Sequence, residues 1–564
     1  MSAAQQSAQR AILGAGLRMR PRGFDGWQLV TIGALALIGI FLVWPMAGMF
    51  GRAFHEPGTG FSLRGYQVLF TERRHILSNT LLLGLWVTSL SVVVGGVLAY
   101  LVSRYRFWLA GIAATLPVVS FVIPDIVVAQ SWMLVLGNDG VVTNFLAPYG
   151  IELPTLYGWF GLLFVMTLQN YPYAFATLYV GLKGMDRSLE EAAIGLGEPP
   201  WRVLTRVTIP LMVPSILAAV LLVFTHVINS FGVPAVLGMR VPVLAIAIYN
   251  EFLNEQGGHP LLQSSMSTLL VLAAIVLLWV QKRFVERRDF RMESMRAPLR
   301  REPRGRAAWL MNAVVTLYIV LGAFPLIMVL VSSVSVSAGP NITYGTFTLK
   351  NFERAFETAP QALQNSLLLA TAATLLGTLF AMVTAYCIVK KRSRLTPWLD
   401  MLLMVPLTVA GTVLGIALIG AFNGPWLVLT GGPFILIIAY FFRRMPFGVR
   451  SAAGALYSLK DSIEEAAVSL GMRPIAVFFK VILPVMWPAV LSAGVLIWVT
   501  TLSELSATLV LYSSGWGTIP VEIYQQIDSD RTALASAHSV VLLLAVFLPL
   551  VLARVFGVKV LDTK

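Results

Sequence analysis

Four polar side chains interrupt the apolar segments of this sequence and are its first candidates for chemistry. They are Asp125, His226, Asn229 and Glu504. Because strongly polar groups are costly to bury in apolar surroundings, such residues often bind a solute or a partner side chain. Glu504 is the strongest candidate, since it is the one carboxylate well inside the apolar part of the C-terminal half. The others have local alternatives: Asp125 could cap a helix broken at Pro124, and His226 could bond a neighbouring helix.

The sequence offers no arrangement for covalent catalysis or for metal-dependent hydrolysis. Its five histidines are scattered, and its single cysteine, Cys387, lies in an apolar segment. One cysteine permits neither an intrachain disulfide nor a four-cysteine zinc site, so Cys387 is expected to be a small buried hydrophobe. No G-x-x-x-x-G-K-[ST] phosphate-binding loop occurs. We therefore expect no cofactor on this chain and no bond chemistry of its own.

A short polar motif occurs twice and is the most distinctive feature of the chain. The first copy, SLEEAAIGLG, runs from Ser188 to Gly197, and the second, SIEEAAVSLG, runs from Ser462 to Gly471. Each glycine is followed by a proline at the same spacing, Pro210 or Pro484, and matching positions are 274 residues apart. This regularity indicates an internal duplication.

Each copy predicts a short helix, a turn and a second helix. The S-x-x-E spacing of Ser188 with Glu191, and of Ser462 with Glu465, is that of a capping box at a helix start. Apolar residues at i, i+3, i+4 and i+7 give the first helix one apolar face. A glycine then ends that helix in the left-handed conformation, and a proline begins the next. The residues with these roles are Leu189, Ala192, Ala193, Leu196, Gly197 and Pro200 in the first copy, and Ile463, Ala466, Ala467, Leu470, Gly471 and Pro474 in the second.

The composition is that of an integral membrane protein. Apolar residues make up 57% of the chain, against roughly 45–50% in soluble domains, and only 12% of residues are charged. The net charge of +14 comes from basic residues in short segments between apolar blocks. Because these residues do not follow one face, they indicate a positive-inside topology rather than nucleic-acid binding.

Twelve apolar segments have about the 17–25 residues that a helix needs to cross the hydrocarbon. The first six lie near 28–50, 76–102, 107–136, 157–182, 209–237 and 262–281, and the second six near 308–333, 364–389, 397–421, 425–442, 484–511 and 537–556. The predicted organisation is a cytoplasmic tail 1–27, a first half 28–281, a cytoplasmic linker 282–306 and a second half 307–564. The first span is interpreted as a retained signal anchor.

Basic residues accumulate in alternate loops, which sets the predicted orientation. The basic loops contain Arg104 and Arg106, Lys183 to Arg206, Lys282 to Arg306, Lys390 to Arg394, and Arg443 to Lys480. These loops and both termini should be cytoplasmic. The opposite segments 137–156 and 422–433 have no basic residue, although the first external loop contains four arginines.

The duplication extends beyond the repeated motif. Phe61 to Tyr66 resembles Phe347 to Phe352 at an offset of 286, whereas Pro172 and Pro446 have returned to 274. The first half therefore contains 12 extra residues, most economically in the segment 137–154. Two halves with six spans each and the same orientation predict a parallel repeat with a pseudo-twofold axis along the membrane normal and a pathway between the halves.

The repeated motif resembles the E-A-A, three residues, G, nine residues, I-x-L-P signature of permease subunits in binding-protein-dependent ABC importers. This chain has Val207 and Val481 at the first isoleucine position and Ile209 in place of the leucine of the first copy. The resemblance implies an all-α polytopic membrane protein of two tandem six-helix type I permease halves, in the bacterial inner membrane. It also implies that the loops 186–210 and 460–484 are coupling elements. By position, the residues carried over are Glu191, Ala192, Ala193, Gly197, Glu465, Ala466, Ala467 and Gly471.

The resemblance also implies partners. ATP and Mg²⁺ would bind to a separate ATPase subunit, as a homodimer with one copy per loop, and an extracytoplasmic solute-binding protein would deliver the cargo. The segments around Asn229 to Gly238 and Ser503 to Leu509 look like those of fused ferric iron permeases. Similar segments occur in thiamine, polyamine and aminoethylphosphonate permeases. Ferric iron is the first expectation because of this resemblance, and fusion of both halves favours the ferric and thiamine branches. Fe(III) prefers oxygen ligands and Glu504 could supply one, but a lone carboxylate is not a metal site.

Two other classes of protein are alternatives to an importer permease. A twelve-span secondary transporter also has two parallel halves and intramembrane charges, but it does not need two matched cytoplasmic loops. A membrane scaffold or sensor would leave Asp125, His226 and Glu504 buried without a purpose. The glutamates of the repeated motif also keep a purely structural interpretation as helix caps.

Overall fold

The computed structural model describes residues 26–56, 58, 60–254, 259–284, 302–303, 305–339, 341–425 and 427–555. The predicted tail 1–27 and linker 282–306 lie almost entirely outside these residues. Helices form nearly all of the described structure, with three two-stranded antiparallel hairpins between them. The long apolar blocks explain this, because a helix satisfies every backbone polar group within its own segment.

Twelve helices are described in the first half. They are α1 (Gly26–Arg52), α2 (Arg64–Thr71), α3 (Arg74–Arg104), α4 (Ala110–Val122), α5 (Asp125–Leu136), α6 (Val141–Leu146), α7 (Trp159–Gly184), α8 (Arg187–Gly195), α9 (Pro200–Ile228), α10 (Gly232–Leu237), α11 (Leu244–Leu253) and α12 (Pro260–Phe284). The hairpin of β1 (His55–Glu56) and β2 (Gly60–Phe61) follows α1.

The second half repeats this order. It contains α13 (Arg306–Ser333), α14 (Lys350–Thr358), α15 (Pro360–Val389), α16 (Thr396–Met404), α17 (Gly411–Phe422), α18 (Pro433–Ser458), α19 (Asp461–Ser469), α20 (Pro474–Val485), α21 (Trp487–Leu502), α22 (Ser506–Leu511), α23 (Ile519–Asp528) and α24 (Thr532–Val555). Its hairpins are β3 (Ser335–Ala338) with β4 (Asn341–Phe347), and β5 (Asn423–Gly424) with β6 (Leu427–Val428).

The helix starts confirm the duplication and its two offsets. The starts of α3, α4 and α5 differ from those of α15, α16 and α17 by 286, and the starts of α7, α8 and α10 differ from those of α18, α19 and α22 by 274. The 12 extra residues lie between α5 and α7, where the first half has α6 and a 3₁₀ turn, Ala147–Tyr149. The predicted position of the insertion is therefore confirmed.

Eight of the described helices are long and apolar enough to cross a membrane, and two bent pairs raise that number to ten. The equivalent helices α7 and α18 are equally long, at 26 residues, but are less apolar because they contain Gln169 and Asn170, or Arg443 and Arg444. They pack inside the bundle, against α3 and α15. They match the predicted segments 157–182 and 425–442 but are not among the eight to ten described helices that are long and apolar enough to cross a membrane.

Several predicted spans are not single helices. The segment 107–136 divides into α4 and α5 at Pro124, whose extended backbone and missing N–H interrupt the helix. Its counterpart bends by 111° between Leu407 and Gly411. The segments 209–237 and 484–511 are interrupted at 229–231 and 503–505, which lie 274 residues apart. These breaks expose backbone groups and let polar side chains enter the bundle.

The first span of each half packs against the opposite half. The α1 residue Phe41 stacks on Phe422 of α17 at 5.4 Å between ring centroids, and Trp27 packs on Tyr386 of α15 at 4.7 Å. In return, the Tyr318 hydroxyl of α13 donates a hydrogen bond to the carbonyl of Val94 at 2.7 Å. The exchange joins the halves into one continuous apolar core.

Candidate functional site

The two repeated loops form the helix, turn and helix that their sequence predicts, but their first helices start earlier than expected. In the first copy, Asp186 is the N-cap and accepts a hydrogen bond from the Ser188 amide at 2.9 Å. In the second copy, α19 begins at Asp461 after Lys460. Ser188 and Ser462 therefore lie within their helices, and the predicted capping boxes with Glu191 and Glu465 are wrong. Asp186 outcompetes Ser188 because its carboxylate is the stronger acceptor at a positive helix end.

The turns agree with the sequence. Gly197 and Gly471 have φ angles of +87° and +88°, and the amides after them bond back to Ala193 and Ala467 at 3.1 and 3.2 Å. This is the Schellman pattern that ends a helix at a left-handed residue. Pro200 begins the next helix, which continues through a π-helical turn, Leu204–Thr208, with an equivalent turn at Phe478–Ile482. The roles of both glycines as helix ends are confirmed.

The first glutamate of each Glu-Glu pair anchors its loop to the bundle, and sequence reasoning missed it. Glu190 is buried and accepts from Arg104 Nη2 at 2.8 Å and from the Thr208 hydroxyl at 2.9 Å. Its counterpart Glu464 accepts from the Tyr386 hydroxyl at 2.9 Å and from Lys391. Two sequence features could have predicted this anchoring role: the Glu-Glu pair in each loop, and the basic residues at the ends of α3 and α15.

A second ion pair supports the 460–484 loop. Lys390 Nζ donates to the Asp461 carboxylate at 2.5 Å and to the Leu459 carbonyl at 2.7 Å. The ammonium lowers the pKa of the exposed Asp461 carboxyl, mainly through this hydrogen bond. Because the pKa is lowered in the folded protein, this contact supports the loop at neutral pH and is lost only as the pH falls through the lowered value.

The outer side of each loop is an exposed surface with an apolar centre. Leu196 and Leu470 are 86% and 85% exposed, and the motif residues Glu191, Ala192, Glu465 and Ala466 are exposed with them. Ala467 is buried and Ala193 is half-buried, so the alanine pair does not act as one face. The first alanine of each pair points outward and the second packs inward.

Replacing Glu464 with glutamine is expected to destabilise the 460–484 loop while its neighbour tolerates the same change. Glu464→Gln removes the charge that Lys391 and Tyr386 bind, which costs about 1.5–3 kcal/mol for charge-assisted hydrogen bonds. Glu465 is exposed, so Glu465→Gln is the matched control and should leave the unfolding temperature unchanged. Thermal unfolding of the purified membrane protein measures both, and equal stability of the two variants would refute the anchoring role.

Glu504 lies at the break between α21 and α22, where two arginines bind it. Its side chain is 2% exposed, and Oε2 accepts from Arg443 Nε at 3.0 Å and from Arg444. Oε1 accepts from the Ser506 hydroxyl at 2.9 Å and the Ala507 amide at 3.1 Å. Both carboxylate oxygens are therefore fully used, so Glu504 in this arrangement has no free oxygen for a metal cation.

Arg443 and Arg444 were assigned to a cytoplasmic loop from the sequence, and this assignment is wrong. Both lie in the middle of α18, which extends from Pro433 to Ser458 rather than ending near 442. Two adjacent arginines lower the local hydropathy, so the predicted span ended too early, just before them. The match of Pro446 with Pro172 could have corrected this, because it aligns the arginines with Gln169 and Asn170 inside α7.

The first half contributes a hydrogen-bonded polar group at the same level. His226 Nδ1 lies 2.8 Å from Asn170 Oδ1, and its Nε2 lies 2.9 Å from the Tyr173 hydroxyl. His226 therefore forms the interhelical hydrogen bonds that the sequence offered as its alternative role. Asn229 donates to the Thr225 carbonyl at 2.8 Å, within its own chain segment.

Asp125 is the first residue of α5, and the N-cap position is occupied by Pro124. Asp125 packs against Gly232 of α10, where a Cβ on the glycine would overlap with the Asp125 side chain. Asp125 and His226 both lie within electrostatic range of Arg443 and Arg444. The structure therefore brings Asp125, His226 and Glu504 from the two halves into one polar region, which we call the central polar cluster, together with Arg443 and Arg444.

The central polar cluster does not have the composition of a protein metal site. Among the described residues, no group of three or more histidine, cysteine, aspartate or glutamate side chains could hold a metal ion. The cluster instead contains two guanidinium groups and two carboxylates, of which that of Glu504 is fully occupied by hydrogen bonds.

Comparison with known proteins identifies the family. A model described as "Binding-protein-dependent transport system inner membrane component" matches residues 91–292 and 373–564. "Ferric transport system permease protein FbpB" of Actinobacillus pleuropneumoniae is 27% identical over 529 residues, 91% of this chain and 76% of the relative. "Fe(3+)-transport system permease protein FbpB 2" of Haemophilus influenzae is 26% identical over 550 residues, 96% of this chain and 100% of the relative.

A further relative matches only one half. "Putative 2-aminoethylphosphonate transport system permease protein PhnV" of Salmonella typhimurium is 31% identical over 241 residues, 43% of this chain and 90% of the relative. This likeness fits a chain that contains two permease halves where that relative has about the length of one. The two family matches span more than half of the chain and one falls on each half, so this protein belongs to the binding-protein-dependent transport system inner membrane components, as an ABC importer permease with both halves fused.

Proposed function

We propose that this permease forms the pathway by which ferric iron, delivered by an extracytoplasmic solute-binding protein, crosses the bacterial inner membrane. The observation that carries the proposal is the similarity of nearly the whole chain to two permeases named for ferric transport. The fused arrangement supports it, since those relatives align across both halves. A secondary transporter is disfavoured, because the family is binding-protein-dependent.

The two loops are proposed to dock separate ATPase subunits, one copy on each loop. Their equivalent exposed leucines, Leu196 and Leu470, and their anchoring glutamates support this role. Closure of the ATPase dimer would bring the loops together and rock the halves so that the pathway opens outward. In this orientation the loops and both termini are cytoplasmic, and ATP with Mg²⁺ binds only to the partner.

A second cargo deserves the same test. The likeness to a permease named for 2-aminoethylphosphonate, together with the arginine pair of the central polar cluster, favours an anionic solute as the alternative to ferric iron. Thiamine and polyamines belong in the same experiment, since permeases for them have similar segments.

Reconstitution tests the proposal directly. The permease is placed in proteoliposomes with its ATPase and its binding protein, and ATP hydrolysis and uptake are measured with ferric iron, 2-aminoethylphosphonate, thiamine or a polyamine. We expect ferric iron alone to stimulate both. Stimulation by another of these solutes and not by iron would reject iron as the cargo, and uptake driven by an ion gradient without ATP would reject the importer mechanism.

Substituting Leu196 and Leu470 with glutamate is expected to weaken ATPase docking. Each leucine would bury its side chain against the partner, which is worth about 1.5–3 kcal/mol, so each change should weaken binding roughly 10- to 100-fold. Co-purification of the ATPase and its binding affinity measure this effect. The control is Tyr457→Glu, which changes an exposed residue at the end of α18 and should leave the affinity unchanged. An exposed leucine such as Leu544 cannot serve as the control because it lies in a predicted span. Unchanged affinity of the leucine variants would contradict the docking assignment.

A further inference from the structure

The two halves differ in charge at equivalent positions of the central polar cluster. At the offset of 274, Gln169, Asn170 and Ser230 of the first half correspond to Arg443, Arg444 and Glu504 of the second. The backbone is the same in both halves, with a long helix packed against a helix that breaks at this level. Since the first half forms this structure with neutral side chains, the fold does not require the charges.

The second half has more donors than Glu504 can accept. Glu504 binds Arg443 through Nε and Arg444 through Nη2, and its other oxygen binds Ser506 and Ala507. Arg443 Nη1 and Arg444 Nε are buried and have no hydrogen-bond partner among the described residues. A buried donor on a charged group without a partner is costly, so such groups commonly mark a place where a ligand binds.

The unpaired end of Arg443 packs closely against the start of α17. Arg443 Nη1 lies against Gly411, the first residue of α17, and a Cβ at that position would overlap with it and with the Ser506 hydroxyl. The corresponding residue of the first half is Asp125. The first half thus has a carboxylate where, in the second, the missing side chain of Gly411 lets the Arg443 guanidinium pack against the start of α17.

Neutral and acidic groups of the first half surround the same region without pairing with the arginines. Asp125 influences Arg443 and Arg444 electrostatically but forms no ion pair with either in the described part of the chain. The Ser230 hydroxyl is also buried without a hydrogen-bond partner among the described residues, and the Gln169 amide lies beside Asp125. These groups offer further hydrogen bonds to a polar ligand between the halves.

We propose that Arg443 and Arg444 form a binding site for an oxyanion, a phosphate, phosphonate or carboxylate group, within the transport pathway. A guanidinium group presents parallel N–H donors that match such an anion. The inference rests on the proposed function for its position in the pathway and narrows the form of the cargo. A bare ferric cation meets the unpaired donors of Arg443 and Arg444, whereas a ferric ion that carries an oxyanion, or an anionic solute, finds partners in them.

Binding of radiolabelled inorganic phosphate to the permease–ATPase complex in lipid nanodiscs tests the site itself. The variant R443K/R444K keeps both charges for Glu504 and removes the forked donors. We expect its phosphate affinity to fall about tenfold or more, the value of one charge-assisted hydrogen bond. Arg450→Lys is the matched control, because Arg450 lies on the same helix but pairs with Asp400 at 3.3 Å, and it should bind phosphate as the wild type does.

A second variant keeps the test decisive if R443K/R444K does not fold. R443Q/R444N/E504S gives the second half the neutral residues of the first, and it should be assembled but unable to bind phosphate. Saturable phosphate binding that is equal in the wild type and in the folded variant would overturn the proposal, as would a wild-type complex that binds no phosphate.

Double-label uptake in proteoliposomes distinguishes the two sources of the anion. Iron and phosphate that enter together in a fixed ratio identify the oxyanion as a companion of the ferric cargo, and labelled 2-aminoethylphosphonate that enters without iron identifies it as the cargo itself. Iron uptake that is unaffected by R443K/R444K and by removal of all oxyanions would overturn the proposal. Failure of iron to stimulate transport would reject only the proposed cargo, because the phosphate-binding measurement does not depend on it.

Discussion

A permease with valine at both Gly197 and Gly471 is expected to reach the membrane but to lose uptake and to release its ATPase subunits on purification. Both glycines have left-handed backbones, with φ of +87° and +88°. A residue with a Cβ costs about 1–2 kcal/mol in that conformation, and a β-branched side chain fits it worst. The chain would relieve this strain by reorienting the first helix of each loop, which moves Leu196 and Leu470 away from the partner.

The two copies of the loop provide the control for this experiment. Gly195 lies two residues before Gly197, has nothing within 4 Å of a Cβ built on it, and corresponds to Ser469 in the second copy. Gly195→Ser should therefore retain uptake and ATPase binding. Membrane insertion is checked by the yield of full-length protein. Normal uptake by the double valine variant would remove the coupling assignment from both loops.

Loss of the Glu504 carboxylate is expected to have the largest effect on stability. Glu504→Ala leaves Arg443 and Arg444 in the bundle without the acceptor that both now share. Removing one partner from a buried ion pair costs about 3–5 kcal/mol, because the remaining charge has neither water nor a counter-ion. Denaturant or thermal unfolding of the solubilised protein should show this loss, with a reduced yield from the membrane.

The neutral triple variant separates the stability of the cluster from its function. R443Q/R444N/E504S removes the unpaired charges together and reproduces the residues that the first half already has. It should regain most of the stability lost in Glu504→Ala but not the transport activity. If Glu504→Ala is as stable as the wild type, the ion pairs contribute nothing to folding. If the triple variant transports normally, the charges have no role in the pathway.

Much of the fold could be predicted because membrane helices are specified locally. Apolar segments of sufficient length identified the spans, and the constant offsets identified the duplication and the 12-residue insertion. The left-handed glycines and the helix-starting prolines of the loops also follow from local backbone preferences. The predicted capping boxes were wrong for a reason that is also local, because Asp186 competes with Ser188 for the helix start.

The central polar cluster could not be predicted from local sequence features. Hydropathy adds the contributions of neighbours along the chain, so Arg443 and Arg444 were interpreted as the end of a span. Their burial is possible only because Glu504, which is 61 and 60 residues further along the chain, accepts from both. Likewise, the sequence singled out the exposed Glu191 and Glu465, whereas burial and the basic ends of α3 and α15 select Glu190 and Glu464 as anchors.

By itself, the sequence determined the membrane class, the two halves, the paired loops and the resemblance to importer permeases, because each depends on composition, periodicity or spacing. Only the tertiary structure decided that the first spans pack on opposite halves, which glutamates hold the loops, and that an arginine pair lies at the centre of the bundle. These features depend on pairs of residues that are distant in the chain. Their energies come from mutual desolvation and hydrogen bonding, which exist only after the helices have packed.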